Sequence, residues 1–236
     1  MGKCLFMRKG ETHTAPAKSF ANCTWAEVIA ACQANTVPDS WLVGEQKIMT
    51  INDIEYVVDI IGKNHDSYAD GSGKAPLTFQ LHDTYKYNKT MHGTGDISVS
   101  SNVQGWKLCD MRVTNIPTIL NLIQSDIKSS IKEVSKITSA GNNSSGLVTT
   151  SDKLFLLSEI EIFGGMKYSY EGEGEQYEYY KAGNTAVKLH GTSAGYWWTR
   201  SPMKDSAQGY CAVTSKGAYG GGYSTASQGI SFAFCF

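Results

Sequence analysis

A chain of 236 residues with a net charge of −1 is long enough to bury a sizeable core and carries no electrostatic footprint for nucleic acid or an anionic membrane. It contains no apolar run of roughly eighteen residues, which excludes a helical membrane span. The start, whose apolar run extends only from Cys4 to Met7, lacks the hydrophobic centre of a secretory signal.

Residues 1–40 read as an N-terminal extension with one short helix, and residues 41–236 as the domain proper. The first two dozen residues show no sustained periodicity and read as a linker or junction. Thr24 then precedes Glu27 at capping-box spacing, and Trp25, Val28, Ile29 and Cys32 recur at helical intervals, predicting a helix over Thr24–Ala34. From Trp41 the period changes. Ile48 to Ile51 and Tyr56 to Ile61 predict two strands joined by an Asn52-Asp53 turn, with Val57 to Ile61 buried on both faces.

The stretch His65 to Pro76 is rich in turn residues. Its Gly-Ser-Gly-Lys fails as a phosphate loop, because Tyr68 stands where a glycine is required and Ala75 follows Lys74. It also lacks the Asp/Asn ladder of a calcium loop, so it reads as structural. The doublets His65-Asp66 and His82-Asp83 read as hydrogen-bonded structural pairs; no metal is placed and no cofactor is expected. Leu77 to Leu81 predicts a short strand. Met111 to Ile123 predicts a helix with Pro117 near its start, and Ser125-Asp126 a cap for a second, in which Ile127, Ile131 and Val134 share a face. Leu154 to Phe163 reads as an apolar element whose carboxylates, Glu159 and Glu161, meet solvent and accept from loops. Tyr168 to Tyr180 reads as an ordered excursion with surface tyrosines.

Six cysteines (Cys4, Cys23, Cys32, Cys109, Cys211 and Cys235) are scattered without a C-x-x-C pair, which argues for reduced thiols. Cys211 with Cys235 is the one pair to test.

The last stretch, Gly195 to Phe236, has apolar ends and a middle of small polar residues, tyrosines and glycines. Trp197, Trp198, Phe232 and Phe234 are expected in the core. The middle is too poor in apolar side chains to pack and too long for an idle loop, so it reads as surface on a rigid frame. Its mixture of Tyr, Ser and Gly suits a paratope. The candidate ligand-binding residues are Lys204, Asp205, Ser206, Gln208, Tyr210, Ser215, Lys216, Tyr219, Tyr223 and Thr225, with Tyr210, Tyr219 and Tyr223 as aromatic anchors. Tyr210, beside Cys211, could instead pack on the scaffold. No catalytic residue is assigned, since the segment holds no His or Glu and its only carboxylate is Asp205.

Several motifs in order carry a resemblance: Asn64-His65-Asp66, the loop Ala69 to Pro76, Gly105-Trp106, Met111-Arg112, Thr149 to Glu159, and Trp197-Trp198-Thr199-Arg200-Ser201-Pro202. Together they resemble the DUF6273-type domains of gut bacteria and their prophages, from about Trp41 to the end. That domain is similar to the C-type lectin-like fold used by variable proteins of diversity-generating retroelements, which rewrite adenines in the C-terminal segment of a target gene. The resemblance implies a variable segment over about 203–228, framed by Trp197 to Pro202 and by Gly229 to Phe236, with Arg200 bonding the frame rather than a ligand. Asn codons ending in a pyrimidine cannot become Met203, Lys204, Gln208 or Lys216, so either other template codons lie there or this copy is not diversified. The Glu-Pro-Asn and Trp-Asn-Asp triplets of calcium-dependent sugar binders are absent. The same fold also resembles formylglycine-generating enzymes, for which Cys211 and Cys235 are the only candidate thiols in the right region.

The expected fold is therefore α+β: a mixed, mainly antiparallel sheet, two or three helices and a loop-rich C-terminal subdomain, of the C-type lectin-like, formylglycine-generating-enzyme-like type, with the last strand returning beside early ones. The expected function is target recognition, of a protein or glycan on a cell surface, by a phage tail or bacterial display protein attached through its N-terminus. Its expected location is a virion or the bacterial cytoplasm before assembly.

Overall fold

The computed structural model describes residues 18–93 and 95–236, so the linker reading of residues 1–17 and the thiol of Cys4 lie outside the described residues. The chain enters the core at once. Phe20 is fully buried, stacks on Phe79 with ring centroids 6.1 Å apart and meets the edge of Trp41 at 5.5 Å, so the segment just before α1 is anchored to the core through Phe20 rather than being a linker. Helix α1 (Trp25–Gln33) is closed at its start by the reciprocal bonds of Thr24 and Glu27, and it buries Val28, Ile29 and Cys32.

Strands β1 (Gln46–Ile51) and β2 (Ile54–Lys63) form an antiparallel hairpin whose turn, Asn52 at φ 48° and Asp53 at φ 60°, is left-handed at both central positions and so matches the strand twist. Burial on both faces begins at Val58. Val57 is exposed opposite Ile48, because the two share the face of the hairpin turned away from the core, while Met49 and Ile51 on the other face are fully buried. Strand β3 (Leu77–Leu81) is buried throughout. Helix α2 (Gly105–Leu108) precedes a widened turn over Met111–Asn115 and α3 (Ile116–Leu122), which takes Pro117 in its first turn.

Helix α4 (Ser125–Ser130) departs from the reading in two ways. Ser125 opens the helix without a side-chain cap, and the helix ends before Ile131. Lys132 N–H donates instead to Cys235 O at 3.0 Å, so pairing with the end of the chain ends the helix, and Val134 starts a strand. That strand, β4 (Val134–Gly141), and β5 (Ser144–Asp152) make a hairpin the sequence reading missed. Its signal was present: Asn142 and Asn143 follow Gly141 and both take positive φ.

The apolar element read over Leu154 to Phe163 is two, strand β6 (Leu154–Leu156) and helix α5 (Glu159–Phe163); Ser158 and Glu161 form a second capping box and Gly164 at φ 72° ends the helix. Helix α6 (Glu178–Lys181), a short hairpin of β7 (Lys188–His190) and β8 (Ser193–Gly195), and strands β9 (Trp197–Pro202), β10 (Gly209–Val213), β11 (Tyr219–Tyr223) and β12 (Phe232–Cys235) complete the chain. The helices outnumber the two or three expected but are short, the longest being α1 with nine residues.

The strands form a five-stranded sheet in the order β1-β2-β3-β12-β6 and a three-stranded sheet in the order β11-β10-β9, beside the hairpins β4-β5 and β7-β8. All these strand pairs are antiparallel, and among the described residues a single parallel bridge joins Trp197 to Gly229. The chain is thus α+β with mainly antiparallel sheets. The last strand returns between early β3 and β6, and Trp197, Trp198, Phe232 and Phe234 are each fully buried.

Candidate ligand-binding surface

The surface rests on β9, every residue of which is buried. Trp197 Nε1 donates to Ala186 O at 3.0 Å and Trp198 Nε1 to Lys89 O at 2.9 Å, so neither indole leaves its donor unmet. Arg200 is fully buried and spends its guanidinium on the frame. Its Nη1 reaches Leu156 O at 3.0 Å, its Nη2 reaches Glu161 Oε1 at 2.9 Å and Glu173 O at 2.8 Å, and its Nε reaches Thr138 Oγ1 at 3.0 Å. Burial pushes the Glu161 carboxyl up, but Arg200 and Lys136 beside it hold it below its ordinary value.

Lys136 Nζ sits 2.6 Å from Asp66 Oδ1 and 2.8 Å from Glu161 Oε1. Burial raises Asp66 as well, yet Lys136 outweighs it and brings the carboxyl to about 2. Ligand atoms of His65, Asp66 and Glu161 lie within 4.8 Å of one another, a spacing that could hold a metal ion. The Lys136 ammonium contacts both carboxylates and supplies the compensating cation itself. His82 bonds Asp59 at 2.8 Å, so both His-Asp doublets contribute to structural hydrogen bonding.

Glu159 and Glu161 do not meet solvent; both are buried, because the capping box turns α5 inward. Glu159 does accept from a loop, taking the N–H groups of Lys167, Tyr168 and Ser169 at 2.8–3.0 Å. The tyrosine-rich excursion is also corrected. Tyr177, Tyr179 and Tyr180 are buried, with the Tyr177 hydroxyl on Asp66 and that of Tyr180 on Gln80, since this segment packs on the five-stranded sheet.

The loop between β9 and β10 is tied down through its backbone. Asn102 Nδ2 donates to Ser206 O and Gly209 O, both at 2.7 Å, while Asn102 N–H donates to Ala207 O at 2.7 Å. Lys204 N–H donates to Tyr168 O at 2.7 Å. The side chains are released: Asp205 and Gln208 are exposed, Lys204 and Ser206 half-exposed. At the other end of the β10–β11 hairpin, Lys216 is exposed and Ser215 half-exposed. Tyr219 stacks on Phe163 at 4.0 Å, and Tyr223 is 47% exposed.

Two of the ten candidates leave the surface. Tyr210 is fully buried on the central strand β10, its hydroxyl donating to Gly105 O at 2.9 Å. Thr225 is buried against Ser100, hydroxyl to hydroxyl at 2.6 Å. The middle of the last stretch is therefore not all surface, because residues from an earlier part of the chain, Gly105 at Tyr210 and Ser100 at Thr225, pack against it. The remaining eight fall into two patches separated by the length of β10, about 17 Å at strand rise. Lys204, Asp205, Ser206, Gln208 and Tyr223 lie toward one end, where Gly209 pairs with Tyr223; Ser215, Lys216 and Tyr219 lie at the other. Sequence reading missed the neighbours that extend these patches: Phe163 under Tyr219, half-exposed Tyr168 and Tyr170, and Met166 at 43% exposure. An apolar Met following Gly164-Gly165 was the available signal.

The five described cysteines are free and buried. Cys211 and Cys235 do not bond each other, and burial pushes both thiols well above the ordinary range. Cys235 Sγ lies instead 3.5 Å from Thr78 Oγ1. No helix among the described residues is long and apolar enough to cross a membrane.

A mainly antiparallel α+β scaffold with an ion-locked frame under a C-terminal hairpin defines the molecule. Residues 80–236 match the family model described as a domain of unknown function, DUF6273, and the chain belongs to that family. The matched region begins within β3, so α1, β1 and β2 lie before it although they share its core. No curated protein and no solved structure matches the chain.

Proposed function

We propose that this chain is a ligand-binding display protein of the kind diversified by retroelements, with a C-type lectin-like scaffold, borne on a phage tail or bacterial surface. It recognises a protein or glycan on a target cell through Lys204, Asp205, Ser206, Gln208 and Tyr223 in one patch and Ser215, Lys216 and Tyr219 in the other. The observation that carries this reading is the separation of roles in the β9–β10 loop: Asn102 and Tyr168 hold the backbone, so the side chains can change without the fold changing. Attachment to the tail or display partner falls to the N-terminal region, which lies before the matched residues.

A formylglycine-generating oxidase built on the same scaffold requires thiols poised for redox or copper chemistry. Cys211 and Cys235 are separate, buried and held as thiols, which favours binding over that chemistry.

The test is a screen of bacterial surface proteins and glycans for a target, followed by conversion of Lys204, Asp205, Tyr219 and Tyr223 to Ala together. Lost target binding with a normal melt supports the reading; undiminished binding moves the site elsewhere or leaves the domain a structural part of the tail. A reverse transcriptase gene and an imperfect repeat of the 3′ end beside this gene would establish diversification, and their absence would remove that part of the proposal.

A further inference from the structure

A second concave surface lies beside the hairpin, bounded by β7–β8 on one side, the turn after β11 on another and Asn88 on the third. It encloses about 540 Å³, within the range of small-molecule sites. Its polar lining comes from Asn88, His190, Ser193, Tyr196, Ser227 and Gln228, with no carboxylate, ammonium or guanidinium among the lining groups. A groove so lined offers nothing to a charged ligand and several planar or hydroxyl partners to a neutral polar one.

Two side chains that line this groove carry hydrogen-bonding groups for a ligand. Gln228 Oε1 is buried and has no hydrogen-bond partner. The Thr84 hydroxyl donates to Leu189 O at 2.9 Å and lies 3.0 Å from His190 Nδ1, so this ring nitrogen is engaged by the fold and Nε2 is the one left to a ligand. The carboxamide of Gln228 and the imidazole of His190 suit a ligand rich in O–H groups. Beside them Tyr196 is 46% exposed, a ring face of the kind on which the C–H surface of a sugar packs.

The walls are fixed in place. Gln228 exchanges backbone bonds with Lys89 at 2.9 and 3.1 Å, and Gly229 N–H donates to Tyr196 O at 2.9 Å. A glycine makes room for one wall: a Cβ on Gly222 would fall 2.4 Å from Gln228 Nε2. Gly222 in β11 thus lets the Gln228 amide stand where it does.

We propose that this groove is a calcium-independent binding site for a neutral saccharide, with Tyr196 as the stacking platform and Gln228, His190 and Asn88 as hydrogen-bonding partners. It is distinct from the loop surface proposed above, since most of its lining precedes Pro202, and it stands whether or not that surface binds a target.

The experiment titrates the full chain with glucose, galactose, mannose, N-acetylglucosamine and their β-linked dimers, by saturation-transfer NMR and calorimetry. At least one sugar is expected to bind, unaffected by a chelator or by high salt. Tyr196→Ala and Gln228→Ala should each weaken it about tenfold, while Tyr196→Phe retains it. Ala194→Trp, a change on an exposed hairpin, should block the groove without altering the melt. The variant carrying Ala at positions 204, 205, 219 and 223 should keep sugar binding, which separates failure of this site from failure of the loop surface. Absence of binding by every sugar in the panel, binding that a chelator removes, or undiminished binding by Tyr196→Ala and Ala194→Trp would overturn the proposal.

Discussion

The network beneath β9 and the hairpin above it are both rich in polar side chains, yet they use them in opposite ways. In the network, Asp66, Lys136, Glu161 and Arg200 are each buried and point their charges at one another, and the buried Glu173 carboxyl bonds Ser139 N–H and Ser201 beside them. In the hairpin and its loops, the hydrogen bonds that hold the chain run mainly to backbone atoms, and Asp205, Gln208, Lys216 and Tyr223 face outward. The difference teaches where substitution is tolerated. A side chain whose partners are other buried charges cannot change alone, whereas one whose neighbours grip only its peptide groups can.

The sharpest way to break this contrast is Arg200→Ala. It strands Glu161 and the carbonyls of Leu156 and Glu173 in the interior, and should lower stability by about 3–5 kcal/mol in denaturant melts. A variant as stable as the parent would mean that the network is incidental to the fold. Trp198→Ala and Phe234→Ala should each cost on the order of 3 kcal/mol, since both side chains are fully buried. Soluble protein with unshifted melting after both changes would place them outside the load of the core.

A pH series sharpens the comparison. Burial raises the Glu173 carboxyl from 4.5 to about 7, against the pull of Ser201 and Ser139. The proton is favoured by folding, so this group's contribution is whole below pH 4.5 and is lost as pH rises toward 7. Glu173→Gln should remove that decline, on the order of 2 kcal/mol across the window, as seen in melts at stepped pH. Parallel profiles for parent and variant would show that Glu173 is ionised throughout.

Effects should be smallest on the hairpin. Tyr219→Ala loses the stack on Phe163 and should cost about 1 kcal/mol. Tyr223→Ala, Asp205→Ala and Gln208→Ala should each stay within about 0.5 kcal/mol of the parent. A large loss at Asp205 or Gln208 would show that these side chains serve the fold after all.

Local signals determined much of this molecule. The Thr24/Glu27 capping box, the Asn52-Asp53 turn and the apolar run of Leu77 to Leu81 each gave an element near its observed place, because caps, turns and dense apolar runs act over a few residues. The frame was legible too: Trp197, Trp198, Phe232 and Phe234 are too large and apolar to lie elsewhere, and Arg200 was expected on carbonyls and a carboxylate. Tertiary structure decided the rest. Helix α4 stopped early because Lys132 found the carbonyl of Cys235, over a hundred residues away. Glu159 and Glu161 went inward because the partners that neutralise or bond them, Arg200, Lys136 and the loop of Lys167 to Ser169, come from other parts of the chain. Tyr210 and Thr225 share the composition of a paratope with Tyr223, and only distant neighbours, Gly105 over Tyr210 and Ser100 against Thr225, placed them inside and left Tyr223 out. Composition sets what a segment can present, but which of its side chains reach solvent depends on neighbours that the segment does not contain.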